Sequence, residues 1–247
     1  MPRTRTLASV LTTFAVGAMV VGSTPTPASA VNTTRKVNAA TPGAKSKAVA
    51  STFKAEVWAD NWFAMSVNGT KVGEDSVPIT TERSFNAETF TFRASYPLTI
   101  AIEAKDFKET DSGIEYIGQG RQQMGDGGLI AQITDTSTGK VVAVTNENWK
   151  TLVIHRAPLN TSCEKDPDPD TTCQFESVDA PAKWTNAAFD DRAWTKATVW
   201  SASEVKPKDG YNKVSWNRSA KLVWGTDLKV DNTVLLRVKV DRTTPAN

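Results

Sequence analysis

The chain has 247 residues, with 29 lysines and arginines against 27 aspartates and glutamates, and a formal net charge of +2 at pH 7. Nucleic acids and anionic membrane surfaces select proteins with a basic face, so this near balance argues against both as partners. No segment beyond the N-terminus is apolar over the roughly 20 residues that cross a bilayer, which predicts no membrane insertion.

The N-terminus has the pattern of a secretory signal peptide over residues 1–30. Arg3 and Arg5 precede an uncharged apolar run, and Ala28-Ser29-Ala30 offers the small residues that signal peptidase accepts. An uncleaved membrane anchor is the alternative, although the run is short for a span. Cleavage would remove two of the 29 basic residues and no acidic one, which balances the charges. We therefore expect a secreted, extracellular protein.

Composition divides the rest of the chain into three parts. Residues 31–52 are mostly Ala, Thr, Lys, Asn and Ser, which predicts a flexible leader. Residues 53–240 are predicted to form a single β-sandwich domain, and residues 241–247 a polar tail.

Apolar and polar residues alternate in the predicted domain with the period of two that is typical of strands. Asn68-Gly69 follows one such segment and is a strong hairpin signal, because both residues tolerate positive φ. About nine short strands with turn-rich connections and no sustained helical period predict an all-β fold, a sandwich or jelly roll. The clearest segments are 62–67, 85–92, 98–104, 129–135, 140–145, 151–154, 221–224 and 234–240.

Tryptophan is unusually frequent, with eight residues in the chain. An exposed indole offers a face on which a sugar ring stacks while polar neighbours bind its hydroxyls. Trp58 and Trp62 bracket Asp60 and Asn61, and we expect these four residues to form an exposed, ligand-binding hairpin. The alternative is that most of the tryptophans pack in the core or at its rim.

Residues 106–128 form a long segment rich in glycine and polar side chains. A connection of this length in a compact domain is usually functional or disordered, and glycine lets the backbone approach a ligand closely. The segment is therefore predicted to bind a polyhydroxylated ligand, and the alternative is a surface loop that only covers one end of the sandwich. The predicted ligand-binding residues are Glu115, Tyr116, Arg121, Gln122, Gln123 and Asp126.

The same segment contains carboxylates that could supply oxygen ligands to Ca²⁺. Asp106 and Asp111 are the candidates nearest its start, and Glu115 and Asp126 lie further on. Their spacing does not match an EF-hand loop. The sequence predicts no cofactor other than this structural calcium ion, which it leaves open.

Cys163 and Cys173 are the two cysteines of the chain, and an even number in an exported protein predicts a disulfide. Such a bridge contributes roughly 2–3 kcal/mol, and two free thiols are the alternative. His155 is the one histidine, and a lone histidine after a strand is more often structural than catalytic. The sequence therefore predicts neither a zinc site nor a serine or cysteine nucleophile system.

Several stretches resemble galactose-binding-like jelly-roll modules that accompany bacterial glycoside hydrolases of the rhamnosidase and β-galactosidase types. They are Trp58–Gly69, Asn148-Trp149-Lys150, residues 220–240, and the run from Trp184 through Phe189, Asp190 and Asp191 to Trp194. The resemblance implies a jelly-roll sandwich, with Phe189 and Trp194 in structural roles. It leaves the ligand open, because this fold serves sugars, calcium, peptides and scaffolding. The chain is also similar to a region that precedes phosphatidylethanolamine-binding-like domains in some bacterial proteins.

These patterns predict a secreted, non-catalytic module that binds carbohydrate. One alternative is a secreted glycoside hydrolase that uses two carboxylates, with Glu115 and Asp126 as candidates. Another is a scaffold of the cell envelope that binds a protein partner.

Overall fold

The computed structural model describes residues 49–80 and 86–242. The predicted signal peptide and residues 31–48 of the predicted leader lie outside these ranges, as do residues 243–247 of the tail. The first strand begins at Ser51, so the β structure starts slightly before the predicted boundary at residue 53.

Strands dominate the described residues, and the prediction of an all-β fold is confirmed. The helical elements are short: α1 (Pro169–Thr172), α2 (Ala202–Val205) and the 3-10 turns Thr161–Lys165 and Tyr211–Lys213. The strands are β1 (Ser51–Asp60), β2 (Trp62–Val67), β3 (Thr70–Glu74), β4 (Ala87–Ala94), β5 (Leu98–Lys105), β6 (Ile114–Glu115), β7 (Gln123–Met124), β8 (Gly128–Asp135), β9 (Lys140–Val144), β10 (Lys150–Arg156), β11 (Glu176–Ser177), β12 (Thr195–Lys196), β13 (Thr198–Trp200), β14 (Leu222–Trp224) and β15 (Asp231–Val240).

The strands form two large antiparallel sheets. The first sheet has the order β13-β14-β8-β1-β4, with β9 also paired to β8. The second has the order β11-β10-β15-β5-β2-β3, with β12 also paired to β10. The short strands β6 and β7 pair with each other inside the 106–128 segment. Pairs such as β1 with β8 and β5 with β15 are distant in sequence, so the fold depends in part on long-range pairing, as in sandwiches whose strands cross between sheets.

The main core lies between the two sheets. Along β1, Phe53, Ala55 and Val57 face inward, and the alternating residues of β2, β5 and β15 meet them from the second sheet. Phe53 stacks on Phe92 of β4 with ring centroids 5.4 Å apart. Removal of these side chains from water is the main driving force for stacking the sheets, at about 25 cal/mol per Å² of apolar surface.

The predicted Asn68-Gly69 hairpin is confirmed between β2 and β3. Both residues have positive φ, 52° and 84°, as a tight two-residue hairpin turn requires. The Asn68 side-chain oxygen accepts a hydrogen bond from the amide of Thr99 at 2.7 Å, which ties the turn to β5.

Apolar residues that follow β13 in the chain cover the outer face of the first sheet around Trp58. Trp58 points to this side and packs with Ile130, Leu222 and Val205 of α2 in a second buried cluster. Its indole nitrogen donates to the carbonyl of Asp209 at 3.1 Å. The segment from 201 to 220 therefore covers this face as a lid of main chain and aromatic rings.

The outer face of the second sheet is covered at one end by residues 184–191. Arg237 of β15, which is only 2% exposed, extends under this segment. Its guanidinium donates to Asp191 Oδ2 at 2.9 Å and to the carbonyls of Trp184 and Asn186. The cover here is therefore held by hydrogen bonds to a buried cation, and the rest of the face carries a surface groove.

Candidate functional site

A groove of about 360 Å³ lies on the outer face of the second sheet. Its floor follows from strand register, because residues paired across antiparallel strands point to the same face. Trp62 pairs with Lys105, Lys105 with Thr233, and Thr233 with His155, which forms one row across β2, β5, β15 and β10. We call this feature the sheet groove; it is lined by Glu103, Lys105, Lys108, Asp111, His155 and Thr233, with Ile79 and Val178 at its walls.

The charges in the sheet groove are paired. Lys105 Nζ lies 3.0 Å from Glu103 Oε1, and Lys108 Nζ lies 2.6 Å from Asp111 Oδ1. The hydrogen bond and charge of Lys108 lower the pKa of Asp111, so this carboxylate is ionised at neutral pH. Besides Asp106, which is buried, the groove lining thus contains two carboxylates and two ammonium groups.

His155 lies at the end of the row, 5% exposed. Burial lowers its pKa, and the charge of Lys108 adds to the effect, so the imidazole is neutral at pH 7. Its Nδ1 lies 3.0 Å from Asn232 Oδ1, its Nε2 lies 3.4 Å from Asp111 Oδ1, and its ring stacks on Phe175. The Asn232 contact and the stacking on Phe175 hold the ring, which agrees with the structural role that the sequence predicts.

The two tryptophans that the sequence predicts to be an exposed pair lie on opposite sides of the molecule. Trp62 is half-buried beside the sheet groove, with the Lys105 ammonium 5.0 Å from its ring centroid. The prediction that Trp58 is exposed is wrong, because Trp58 is fully buried under residues 201–220. Asp60 and Asn61, predicted to lie in the same exposed hairpin, are also buried. The chain passes from the first sheet to the second at Asn61, which separates the two rings.

The 106–128 segment folds back on itself, and its predicted ligand-binding residues mostly contact one another. Glu115 is buried and accepts a hydrogen bond from Gln123 Nε2 at 2.9 Å. Tyr116 is also buried, and the Arg121 guanidinium lies 3.8 Å from its ring centroid. Arg121 is the exposed member of this set.

Gln122 connects this segment to the loop that the disulfide closes. It accepts from the amide of Gly118 at 2.8 Å and donates to the carbonyls of Glu164 and Asp166 at 2.9 and 2.7 Å. The predicted disulfide between Cys163 and Cys173 is confirmed, and Ile114 packs against it.

Three aspartates meet at one end of the sandwich. Asp60 ends β1, Asp106 follows β5 directly, and Asp126 shortly precedes β8, which runs antiparallel to β1. One carboxylate oxygen from each lies within 4.8 Å of the other two. We call this group the aspartate cluster. Asp106 and Asp126 are two of the predicted calcium ligands, whereas Asp111 lies in the sheet groove.

The aspartate cluster brings acidic side chains together in a buried place, where the charged form of a carboxyl group is disfavoured. Burial raises the pKa of Asp106 well above its usual range, and the charge of Glu115 raises it further. Burial, followed by the charge of Asp126, also raises the pKa of Asp60. Lys208 opposes these effects from the edge, with Nζ 3.5 Å from Asp60 Oδ2 and 3.1 Å from Asp126 Oδ1.

The fold and the groove define a two-sheet β-sandwich with a polar surface site, compatible with a jelly roll. Comparison with protein-family models, with curated proteins and with solved structures finds no match to this chain. Within residues 49–80 and 86–242, the helices are too short and too polar to reach across a bilayer.

Proposed function

We propose that this protein is a secreted, non-catalytic module of the galactose-binding-like jelly-roll type, and that it binds carbohydrate in the sheet groove. The observation that carries the proposal is the row from Trp62 to His155 with its paired charges. A volume of about 360 Å³ falls within the range of small-ligand sites.

The chemistry of the sheet groove suits a polyhydroxylated ligand. Each sugar hydroxyl both donates and accepts, so one hydroxyl can donate to Glu103 while it accepts from Lys105. Hydrogen bonds to charged groups contribute roughly 1.5–3 kcal/mol each. The Trp62 indole adds an apolar face beside them, which is the combination that sugar rings require.

The covered end of the same sheet supports the jelly-roll part of the proposal. The resemblance implies that Phe189 and Trp194 pack an edge of the sandwich, and their rings lie 5.7 Å apart in an edge-to-face arrangement. Phe189 also contacts Arg237, with the guanidinium carbon 5.2 Å from its ring centroid.

The disulfide supports the secreted part of the proposal, because structural disulfides persist in oxidising compartments outside the cytosol. We expect N-terminal sequencing of protein recovered from the medium to begin at Val31. Recovery of the full-length chain from the cytosol would contradict secretion.

The test of carbohydrate binding uses two matched glutamates. Glu103 lies in the sheet groove, and Glu56 lies on the outer face of the first sheet; each forms a 3.0 Å ion pair with a lysine on its own strand, Lys105 and Lys54. A glycan array identifies a neutral oligosaccharide that binds, and titration calorimetry then measures its Kd. We expect Glu103→Gln to weaken binding by roughly 10- to 100-fold, since a charge-assisted hydrogen bond is lost, and Glu56→Gln to leave it unchanged.

Absence of binding across a broad glycan panel, with the protein folded, would contradict the proposal. Turnover of a chromogenic glycoside that Asp126→Ala or Glu115→Ala abolishes would replace it with the hydrolase alternative. Specific capture of an envelope protein through the sheet groove would replace it with the scaffold alternative.

A further inference from the structure

The aspartate cluster contains buried oxygens without a protein partner. Asp106 is 2% exposed, and neither of its carboxylate oxygens has a hydrogen-bond partner among the described residues. Asp60 is fully buried, and its Oδ1 also has no hydrogen-bond partner among the described residues. A buried polar oxygen without a partner costs roughly 1–3 kcal/mol, and a buried charge costs far more, so the fold must supply these groups with a ligand or a proton.

Lys208 is one cation beside three carboxylates. Its ammonium lies near Asp60 Oδ2 and both oxygens of Asp126, at 3.1 to 3.5 Å. With all three aspartates ionised, the group and Lys208 together carry two negative charges, and Glu115 acts on the same carboxylates. A divalent cation would balance two charges.

The geometry matches the size of one ion. Two oxygens that each lie about 2.4 Å from a calcium ion are at most about 4.8 Å apart. The three carboxylate oxygens of the cluster lie within 4.8 Å of one another. No cysteine or histidine belongs to this group, and an all-oxygen donor set selects hard cations over zinc or copper.

We propose that Asp60, Asp106 and Asp126 bind a calcium ion at this end of the sandwich. Calcium is favoured over magnesium because Mg²⁺ keeps several waters and a strict octahedron, whereas Ca²⁺ accepts irregular carboxylate sets. This site differs from the calcium site that the sequence predicts, since Asp60 joins it and Asp111 and Glu115 do not.

The proposed ion would join three strands and the 106–128 segment. Asp60 ends β1 in the first sheet and Asp106 follows β5 in the second, so one ion would connect the two layers. Gly125 lies so close to Asp106 that a Cβ atom there would collide with its carboxylate. Asp106 also lines the sheet groove, so the ion would hold the segment that borders the groove. The proposal does not depend on the identity of the groove ligand.

The test compares two buried aspartates in the full secreted chain after removal of metal with EDTA. Asp106 belongs to the cluster, and Asp75, which is 5% exposed with one oxygen lacking a partner, lies elsewhere. Calcium at 100 times its Kd should raise the Tm of the native protein and of Asp75→Asn by about 5 °C or more. The same calcium concentration should raise the Tm of Asp106→Asn by less than a quarter of that shift.

A second measurement needs no variant, which protects the test if Asp106→Asn fails to fold. Tb³⁺ replaces Ca²⁺ in oxygen sites, and tryptophans in the adjoining strands should excite its luminescence in the native protein. One Tb³⁺ ion should bind per protein molecule, and added Ca²⁺ should displace it and abolish the signal. Absence of a Tm shift and of a Tb³⁺ signal, or an equal shift in Asp106→Asn, would overturn the proposal, and an equal response to Mg²⁺ would overturn the assignment to calcium.

Discussion

The two outer faces of the sandwich are both crossed by chain that follows β11, but they are covered in different ways. On the first sheet the cover is apolar, and Trp58 lies entirely beneath it. On the second sheet the cover is anchored by the polar Arg237 and stops short, and Trp62 stays half-buried at the edge of the sheet groove. An apolar lid completes a core, whereas a polar anchor at one end leaves the rest of a face available to a ligand.

The largest effect that tests this contrast comes from the two tryptophans. Trp58→Ala should lower the free energy of unfolding by about 3–5 kcal/mol, because it opens a cavity under the lid. Trp62→Ala should lower it by less than about 1 kcal/mol, since its ring is partly in water already. Urea unfolding followed by circular dichroism measures both, and equal losses would mean that the two faces are covered alike.

The next effect concerns the anchor of the second face. Arg237→Ala should lower the free energy of unfolding by about 2–4 kcal/mol, since two main-chain carbonyls and Asp191 lose the buried guanidinium that donates to them. Arg237→Lys should restore only part of the loss, because an ammonium lacks the fork that reaches all three acceptors. Lys239→Ala, an exposed position on the same strand, is the control and should change stability by less than about 0.5 kcal/mol. An Arg237→Ala protein as stable as this control would show that residues 184–191 are held by other contacts.

The smallest effect is a pH dependence at the edge of the second sheet. Burial raises the pKa of Asp75, which follows β3, to about 6, and the charge of Glu88 adds to the effect. The unfolded chain releases this proton near pH 4. Between pH 4 and 6 the folded state therefore holds a proton that the unfolded state has lost, and the free energy of unfolding falls as the pH rises.

Asp75→Asn removes this loss of stability. The variant keeps a side-chain oxygen that can accept the hydrogen bond that the Val77 amide donates to Asp75 Oδ1 at 2.8 Å. Relative to the native protein, the variant should gain about 2 kcal/mol between pH 4 and pH 7, as measured by urea unfolding at both values. Parallel pH profiles for the two proteins would show that Asp75 is ionised throughout.

Much of the fold is local enough to be predicted from sequence. The alternation of Leu98, Ile100 and Ile102 requires a strand with one buried face, and Asn68-Gly69 requires the turn that the structure contains. The identity of the buried face is not local: Trp58 is covered because its indole meets the carbonyl of Asp209, 151 residues later in the chain. The alternation therefore places Trp58 on the opposite face of the sheet from Val57 and Ala59, but it does not show that this face is covered.

The candidate sites depend on the same long-range information. Asp60, Asp106 and Asp126 each lie at or near a strand end, and this is the signal that sequence reasoning missed at Asp60. Which strand ends coincide is decided by the pairing of β1 with β8 and by the stacking of the sheets. The row of the sheet groove likewise requires the register of four strands, and single-strand patterns do not contain it.

Gln122 has a consequence for how freely this sequence can vary. Its side chain hydrogen-bonds to the main-chain carbonyls of Glu164 and Asp166 and to the amide of Gly118. Hydrogen bonds to main-chain carbonyls do not depend on the side chain of the accepting residue. Substitutions at positions 164 and 166 are therefore expected to leave the hydrogen bonds from Gln122 intact. Substitution at position 122 does not leave them intact: a glutamate there would set its carboxylate against two carbonyl oxygens, and the 106–128 segment would keep only its other contacts with the disulfide-closed loop, such as the packing of Ile114 on the disulfide.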